Sequence, residues 1–258
     1  MTMSGLARAV ECADLHGGGR VVLTGFVGAA AVTIFGSGQA TALPLSSLAG
    51  SVREGRVVAL GGAMLTVETD VAAVEERLRS GRLACPRCAG VLAGWGRARA
   101  RTVRGPDGAV SLSPRRSRCT GCRATHVLLP VLLLVRRADT AAVIGAALVA
   151  KAAGGGHRRI AERLGRPPGT VRGWLRRFGA RVEQVRVVFT LWCRALAPDP
   201  VLPGPAGSAW ADAVAAVSAV AAAFTVRFSV EVPVWQVAVA VSAGQLLSPV
   251  WPVQADDG

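Results

Sequence analysis

Between His157 and Phe178 the apolar residues fall at helical spacing in two short runs separated by a glycine and two prolines. In the first run Ile160, Ala161 and Leu164 share a face, Gly165 can take a positive φ at a turn, and Pro168 suits the first position of a new helix. In the second run, at about 100° per residue, Val171, Trp174, Leu175 and Phe178 cluster on one side while Gly169, Arg172, Gly173 and Arg176 cluster on the other. The pattern predicts two helices joined by a turn, the second packed along one side and free along the other. We expect this second helix to run on through Arg181 toward Arg186. Upstream, Asp139 or Thr140 can cap a helix from Ala141 to Ala153 that buries Val143, Ile144, Ala147 and Leu148 and stops at Gly154-Gly155-Gly156. The three helices make a domain over residues 136–190.

Before this domain, Val71 to Arg82 reads as a short amphipathic helix ended by Gly81. Trp95 to Arg104 and Ala109 to Arg118 read as strands joined by Gly105-Pro106-Asp107-Gly108, whose Asp-Gly pair is a strong hairpin signal. The apolar run Val127 to Val135 is nine residues long, too short to span a bilayer, and reads as a buried connector. After the domain, residues 195–207 are proline-rich and read as a linker. Over 208–250 the chain predicts a helical hairpin. Its first helix, Ser208 to Phe228, has Val214, Val217, Ala221 and Phe224 in heptad-like positions; its second, Val234 to Leu247, buries Trp235, Ala238 and Val239. The hairpin either packs on the preceding domain or makes a homodimer. Asp212, Arg227 and Glu231 interrupt it as a transmembrane pair, so we expect no membrane.

Residues 1–63 differ from the rest. Val21 to Phe35 is apolar, follows Arg20 and runs into GSGQATA, the outline of a secretory h-region and cleavage region, and is short for a bilayer span. Export does not suit the modules that follow, so 1–63 is expected to be a disordered or non-native extension. On that expectation translation starts at Met64, after the Gly61-Gly62 pair, and Cys12 and His16 have no role.

The chain has 258 residues, 51% of them hydrophobic, enough to bury a core in two or three small modules. Its formal charge of +14 is unevenly placed: Arg82 to Arg186 holds 22 Arg or Lys against 4 acids, and the remainder holds 8 against 12. A basic middle between slightly acidic ends is the footprint of a polyanion binder. With a single Lys, no Tyr and no Asn, the composition is that of a GC-rich genome. Arginine identity therefore carries little weight, and arginine location carries the argument.

Four of the six cysteines form two C-x-x-C pairs, Cys85/Cys88 and Cys119/Cys122, on either side of the predicted hairpin. Two such knuckles supply the four thiolates of a tetrahedral zinc site, so this stretch, over 64–130 with its leading helix, is a zinc ribbon in outline. With every ligand from protein, Zn2+ is expected to be structural, and unoxidised thiols imply a reducing, cytoplasmic compartment. His126 lies four residues past Cys122, but four sulfurs complete the shell, and a structural role at the module junction is preferred. Arg97, Arg99 and Arg101 alternate along one predicted strand and would share a face suited to phosphate; an ordinary solvated strand face is the competing reading.

The spacing around Ala161 and Gly165 agrees with the helix-turn-helix family, with two departures. Arg166 stands where an apolar residue is usual, and Pro167 where a Ser or Thr cap is usual, which predicts a looser turn. Gly173 inside the second helix costs roughly 1 kcal/mol relative to Ala, a cost explained if Gly169 and Gly173 leave a smooth strip for close approach to DNA. From about Asp70 onward, the ordered motifs CPRC, WGRARARTVRG, PRRSRCTGC, THVLLP, RRAD and GHRRIAERLGRPPGTVRGWLRRF, with the proline-rich segment, resemble a family of uncharacterised helix-turn-helix proteins of GC-rich bacteria. The pairing of ribbon and helix-turn-helix is also similar to the DNA-binding region of insertion-sequence transposases. The resemblance implies zinc on Cys85, Cys88, Cys119 and Cys122, and contact with double-stranded DNA by Pro168, Gly169, Thr170, Arg172, Gly173, Arg176 and Arg177.

It does not carry catalysis. Two-metal strand transfer needs converging carboxylates, and past Arg186 the acids are Asp199 in the linker, Asp212, Glu231, and Asp256 and Asp257 near the end of the chain. The expected protein is mainly α with a small β zinc ribbon, a three-helix helix-turn-helix domain and a C-terminal helical hairpin. It would be a nucleoid-associated regulator or mobile-element factor without its own chemistry. The alternatives are the DNA-binding subunit of a transposase whose catalytic domain is on a partner chain, and a zinc-stabilised protein binding RNA or protein.

Overall fold

The computed structural model describes residues 64–197, 199–249 and 251, and upstream of them one antiparallel strand pair, β1 (Ala31–Phe35) with β2 (Ala40–Pro44). The expectations for the rest of residues 1–63 lie outside the described residues, as do Asp256 and Asp257.

The first described body is a sheet with one helix on it. β3 (Met64–Val67) leads into α1 (Val71–Arg79), whose first turn is capped by Asp70 accepting from the N–H groups of Ala72 and Ala73. Gly81, at φ +68°, follows the helix end. A buried Arg77–Glu68 pair at 2.7 Å ties the helix to the end of β3. Burial pushes the Glu68 carboxyl up and the Arg77 guanidinium down, each against the pull of the other's charge. β4 (Leu92–Arg97), β5 (Arg101–Arg104), β6 (Ala109–Leu112), β7 (Arg115–Cys119) and β8 (Thr125–Pro130) follow. Four strands form a sheet in the order β3-β8-β7-β4, with β3 parallel to β8 and the other pairs antiparallel. Leu65, Val67, Leu92 and Leu128 of this sheet pack against Val74 and Leu78 of α1.

The two long strands expected from the sequence are each broken in two. Ala98–Ala100 separate β4 from β5, Ser113 and Pro114 separate β6 from β7, and a register shift lies between Gly94 and Arg97. Gly96 takes φ +90°, and the Ala98 N–H donates to the Pro114 carbonyl at 2.7 Å, holding the two arms together at the bend. The bend lets the outer hairpin, β5–β6, fold its buried Val103 against Leu129 and Leu133. β3 had no counterpart in the sequence reading.

Helices make the second body. Thr140 caps α2 (Ala141–Ala152); α3 (His157–Arg163) and α4 (Pro168–Gly179) are joined by a short turn in which Gly165 takes φ +60°. The second helix does not run on toward Arg186. Arg181 leaves helical geometry (φ −138°, ψ 21°) and a separate helix, α5 (Val182–Leu196), begins. The break seats Trp210: its ring lies 5.1 Å from that of Phe178, and a Cβ on Gly179 would come within 2.7 Å of it.

α6 (Ala209–Phe228), capped by Ser208, packs against α5, and α7 (Val234–Val241) lies against α2 and α6. α7 ends six residues earlier than Leu247, because Ala243 and Gly244 both turn to positive φ and the Gly244 carbonyl accepts from Val135 N–H at 2.8 Å. Val214, Val217, Ala221 and Phe224 of α6, with Ala238 and Val239 of α7, belong to the same continuous core as Ile144, Ile160, Trp174 and Phe189. Trp235 is only half-buried, but its indole lies on Gly145 so closely that a Cβ there would be 2.1 Å away. The C-terminal helices therefore close the helical body rather than standing apart from it. Among the described residues α6 is the one helix long and apolar enough to cross a bilayer, and its apolar face is part of this core.

Candidate metal centre and basic helix face

The two C-x-x-C pairs sit on equivalent turns. Cys85 and Cys88 lie in the loop between α1 and β4; Cys119 ends β7 and Cys122 lies in the turn to β8. In each turn the first cysteine's N–H donates to the carbonyl five residues on, Cys85 to Gly90 at 2.7 Å and Cys119 to Ala124 at 2.8 Å. The residue after each second cysteine, Ala89 (φ 58°) and Arg123 (φ 64°), is in the left-handed region that non-glycine residues rarely enter. Two equal excursions at matched positions mark a geometry the fold imposes, curling each turn so that its sulfurs point to one side. The turns are joined by Thr120 N–H donating to the Val91 carbonyl at 2.9 Å.

The four Sγ atoms all lie within 4.8 Å of one another, with Cys85–Cys122 at 3.7 Å and Cys88–Cys119 at 3.5 Å. An ion bonded to four sulfurs at about 2.3 Å requires tetrahedron edges of about 3.8 Å, which the Cys85–Cys122 and Cys88–Cys119 separations already approach. Gly90 is needed there, since a Cβ would press on Cys119 Sγ at 3.1 Å and Cys88 Sγ at 3.3 Å. Cys85 and Cys119 are buried and Cys88 and Cys122 exposed, so the centre is anchored on one side and open to solvent on the other. Burial pushes the Cys85 thiol up to about 12. The Gly90 N–H, followed by the neighbouring thiols, brings Cys88 down to about 6.

His126 lies outside the cluster of four sulfurs. It is buried in β8 with Nε2 3.4 Å from Cys85 Sγ, placed to donate a hydrogen bond to that sulfur once it is a thiolate. The sequence placed it at the module junction; pairing of Ser117 with His126 across β7 and β8 is what turns it toward Cys85.

α4 presents the two faces its spacing predicts. Val171, Trp174, Leu175 and Phe178 are buried, while Pro168, Gly169, Arg172, Arg176 and Arg177 are exposed and Thr170 and Gly173 are half-buried. Arg177 lies back along the helix, donating to the Gly173 carbonyl at 3.0 Å. Arg172 and Arg176 are on the outer side with no acid bonded to either among the described residues.

The turn before α4 is held tightly rather than loosely, and Arg166 is the reason. Its guanidinium donates to the Asp139 carboxylate at 2.6 Å, to the Gly105 carbonyl at 3.1 Å and to the Leu164 carbonyl at 3.1 Å. Asp139, 2% exposed, also accepts from Arg104 at 2.7 Å. One carboxylate therefore clamps the tip of the ribbon hairpin to the turn between α3 and α4. The sequence showed Asp139 only as a candidate cap and Arg166 only as a departure.

Arg97, Arg99 and Arg101 do not share one strand face. Arg97 ends β4 and reaches Glu75 at 3.8 Å, Arg99 is exposed in the bend, and Arg101 begins β5 half-buried, its guanidinium pK lowered by that burial. Comparison of the chain with protein-family models, with curated proteins and with solved structures finds no match.

Proposed function

We propose that this chain is a sequence-specific DNA-binding protein whose four cysteines hold a structural zinc ion and whose α3 and α4 act as a helix-turn-helix. The observation that carries the reading is α4: a buried face that fixes it in the core, and an outer face bearing Arg172 and Arg176, neither of which is bonded to an acid among the described residues. No side chain caps its first turn, and the N-terminal end of a helix dipole favours an approaching phosphate. Arg172 and Arg176 would read base edges, most naturally guanine, while Thr170 and Arg177 serve the backbone. Gly169 and Gly173 keep the strip between them low.

Four thiolates at this spacing suit zinc best among common cellular cations. With all positions filled by protein, the ion supplies folding energy to the ribbon rather than a reactive water. The Asp139 clamp then passes the ribbon's rigidity to the turn that carries α4. On this reading the protein works on chromosomal DNA in the reducing cytoplasm, without a chemical step of its own.

The test is selection of genomic duplex fragments by the full chain at two salt concentrations, beside an Arg172→Ala/Arg176→Ala variant. A specific sequence should be enriched, and the variant should lose it while keeping salt-sensitive background binding. Equal selection by parent and variant, or no enrichment, would refute base reading by α4.

A further inference from the structure

Trp95 is the one aromatic side chain among the large hydrophobic residues left exposed in the described part of the chain, 52% open on the outermost strand of the sheet. A free indole is unfavourable in water, and the sequence around it keeps it free. Gly94 and Gly96 flank it without side chains, and a Cβ built on Gly96 would meet nothing within 4 Å. Pairing of Ala93 with Arg118 and of Arg118 with Thr125 puts small, exposed neighbours on the same face.

Arg118 completes the arrangement. Its guanidinium lies 4.6 Å from the Trp95 ring centroid, and its Nε donates to the Arg123 carbonyl at 3.3 Å, which holds it in place. Arg87, Arg99 and Arg123 are exposed on the same ribbon, whereas Glu75 of α1 is engaged by Arg115 at 2.8 Å and by Arg97. A flat ring with a fixed cation on it, amid exposed arginines, is complementary to a base plane attached to phosphates.

We infer that Trp95 and Arg118 form a stacking platform for an unpaired base of single-stranded DNA, carried on the metal ribbon rather than on α4. The inference rests on the nucleic-acid reading above. Duplex DNA offers a protein its base edges and phosphates, and its base faces are occupied by neighbouring pairs. A melted or extruded base has a free face, and stacking on an aromatic ring tolerates any base. The chain would then hold duplex through α4 and an opened strand through the ribbon.

The experiment titrates the full zinc-loaded chain with short oligothymidylate and with a duplex the parent selects, following anisotropy of the labelled DNA and tryptophan fluorescence. The parent should bind oligothymidylate with quenching. Trp95→Ala should weaken that binding roughly ten-fold or more while leaving duplex affinity unchanged, and Trp95→Phe should restore most of it. Arg172→Ala/Arg176→Ala should do the reverse, losing the added affinity for the selected duplex over unrelated duplex and keeping oligothymidylate; if only this arm fails, the reading of α4 falls and the platform stands. Because Trp95 is exposed, an unchanged melting curve for Trp95→Ala excludes misfolding. Oligothymidylate affinity equal in parent and Trp95→Ala, absence of binding by the parent, or a loss shared equally by duplex would overturn the platform.

Discussion

Replacing Asp139 with Asn tests the clamp between ribbon and helices. The carboxylate is 3% accessible and accepts from Arg166, 15% accessible, and from Arg104, 40% accessible. A hydrogen bond to a charged group contributes about 1.5–3 kcal/mol, and the Arg166 bond, screened from water on nearly all sides, belongs at the upper part of that range. The Arg104 bond is half in solvent and is discounted to about 1 kcal/mol or less. Asn keeps the volume and one carbonyl acceptor, so the expected loss is about 2–3 kcal/mol, below the roughly 3–5 kcal/mol of a buried pair broken outright. Urea unfolding of the zinc-loaded chain at fixed free metal, so that metal linkage does not enter, measures it. Arg166→Met should cost a similar amount, and the double variant should cost less than the two together by about 1–2 kcal/mol. Strict additivity, or an Asp139→Asn cost within about 0.5 kcal/mol of zero, would refute the clamp. The backbone bonds from Arg104 N–H to the Ala138 carbonyl and from Thr140 N–H to the Arg104 carbonyl remain in every variant, so the ribbon should stay attached and only its rigidity change.

On the proposed zinc reading, a strong chelator should unfold the ribbon while the helical core persists, seen as loss of strand signal and retention of helical circular dichroism; Cys119→Ser should do the same without chelator, and loss of helix and strand together would count against a separate metal-dependent unit. Gly145→Ala should destabilise despite the roughly 1 kcal/mol that alanine gains in a helix, because its Cβ would sit 2.1 Å from the Trp235 indole. In a Trp235→Leu background the same change should become neutral or stabilising, as read by thermal unfolding. Gly173→Ala meets only the far end of the Arg177 side chain, at 3.0 Å, which can swing aside at the cost of its bond to the Gly173 carbonyl. It should raise stability by up to about 1 kcal/mol while weakening duplex binding; unchanged binding would mean that close approach at Gly173 is not used.

What was legible in the sequence was whatever depends on neighbours in the chain. The two faces of α4, Gly165 at its turn, Pro168 at its start, a cap at Asp139 or Thr140 and the two cysteine pairs all follow from spacing and single-residue conformational preference, which a local segment expresses alone. The mainly helical architecture with a small sheet followed from the same signals. Contacts distant in sequence decided the rest. Only the fold brings His126 to Cys85, sets Trp210 on Gly179 beside the break after α4, and lays Trp235 on Gly145 so that the C-terminal helices join one core. The two halves of each ribbon arm alternate well enough to read as one strand, and nothing local shows that the arms bend to bury Val103. Arg166 shows the limit most clearly. In sequence it is a polar residue in an apolar position and predicts a loose turn; in the fold a buried carboxylate twenty-seven residues away makes it the tie that holds that turn. Charge pairing across the chain has no periodicity, so its sign and strength exist only once the tertiary structure has removed both groups from water.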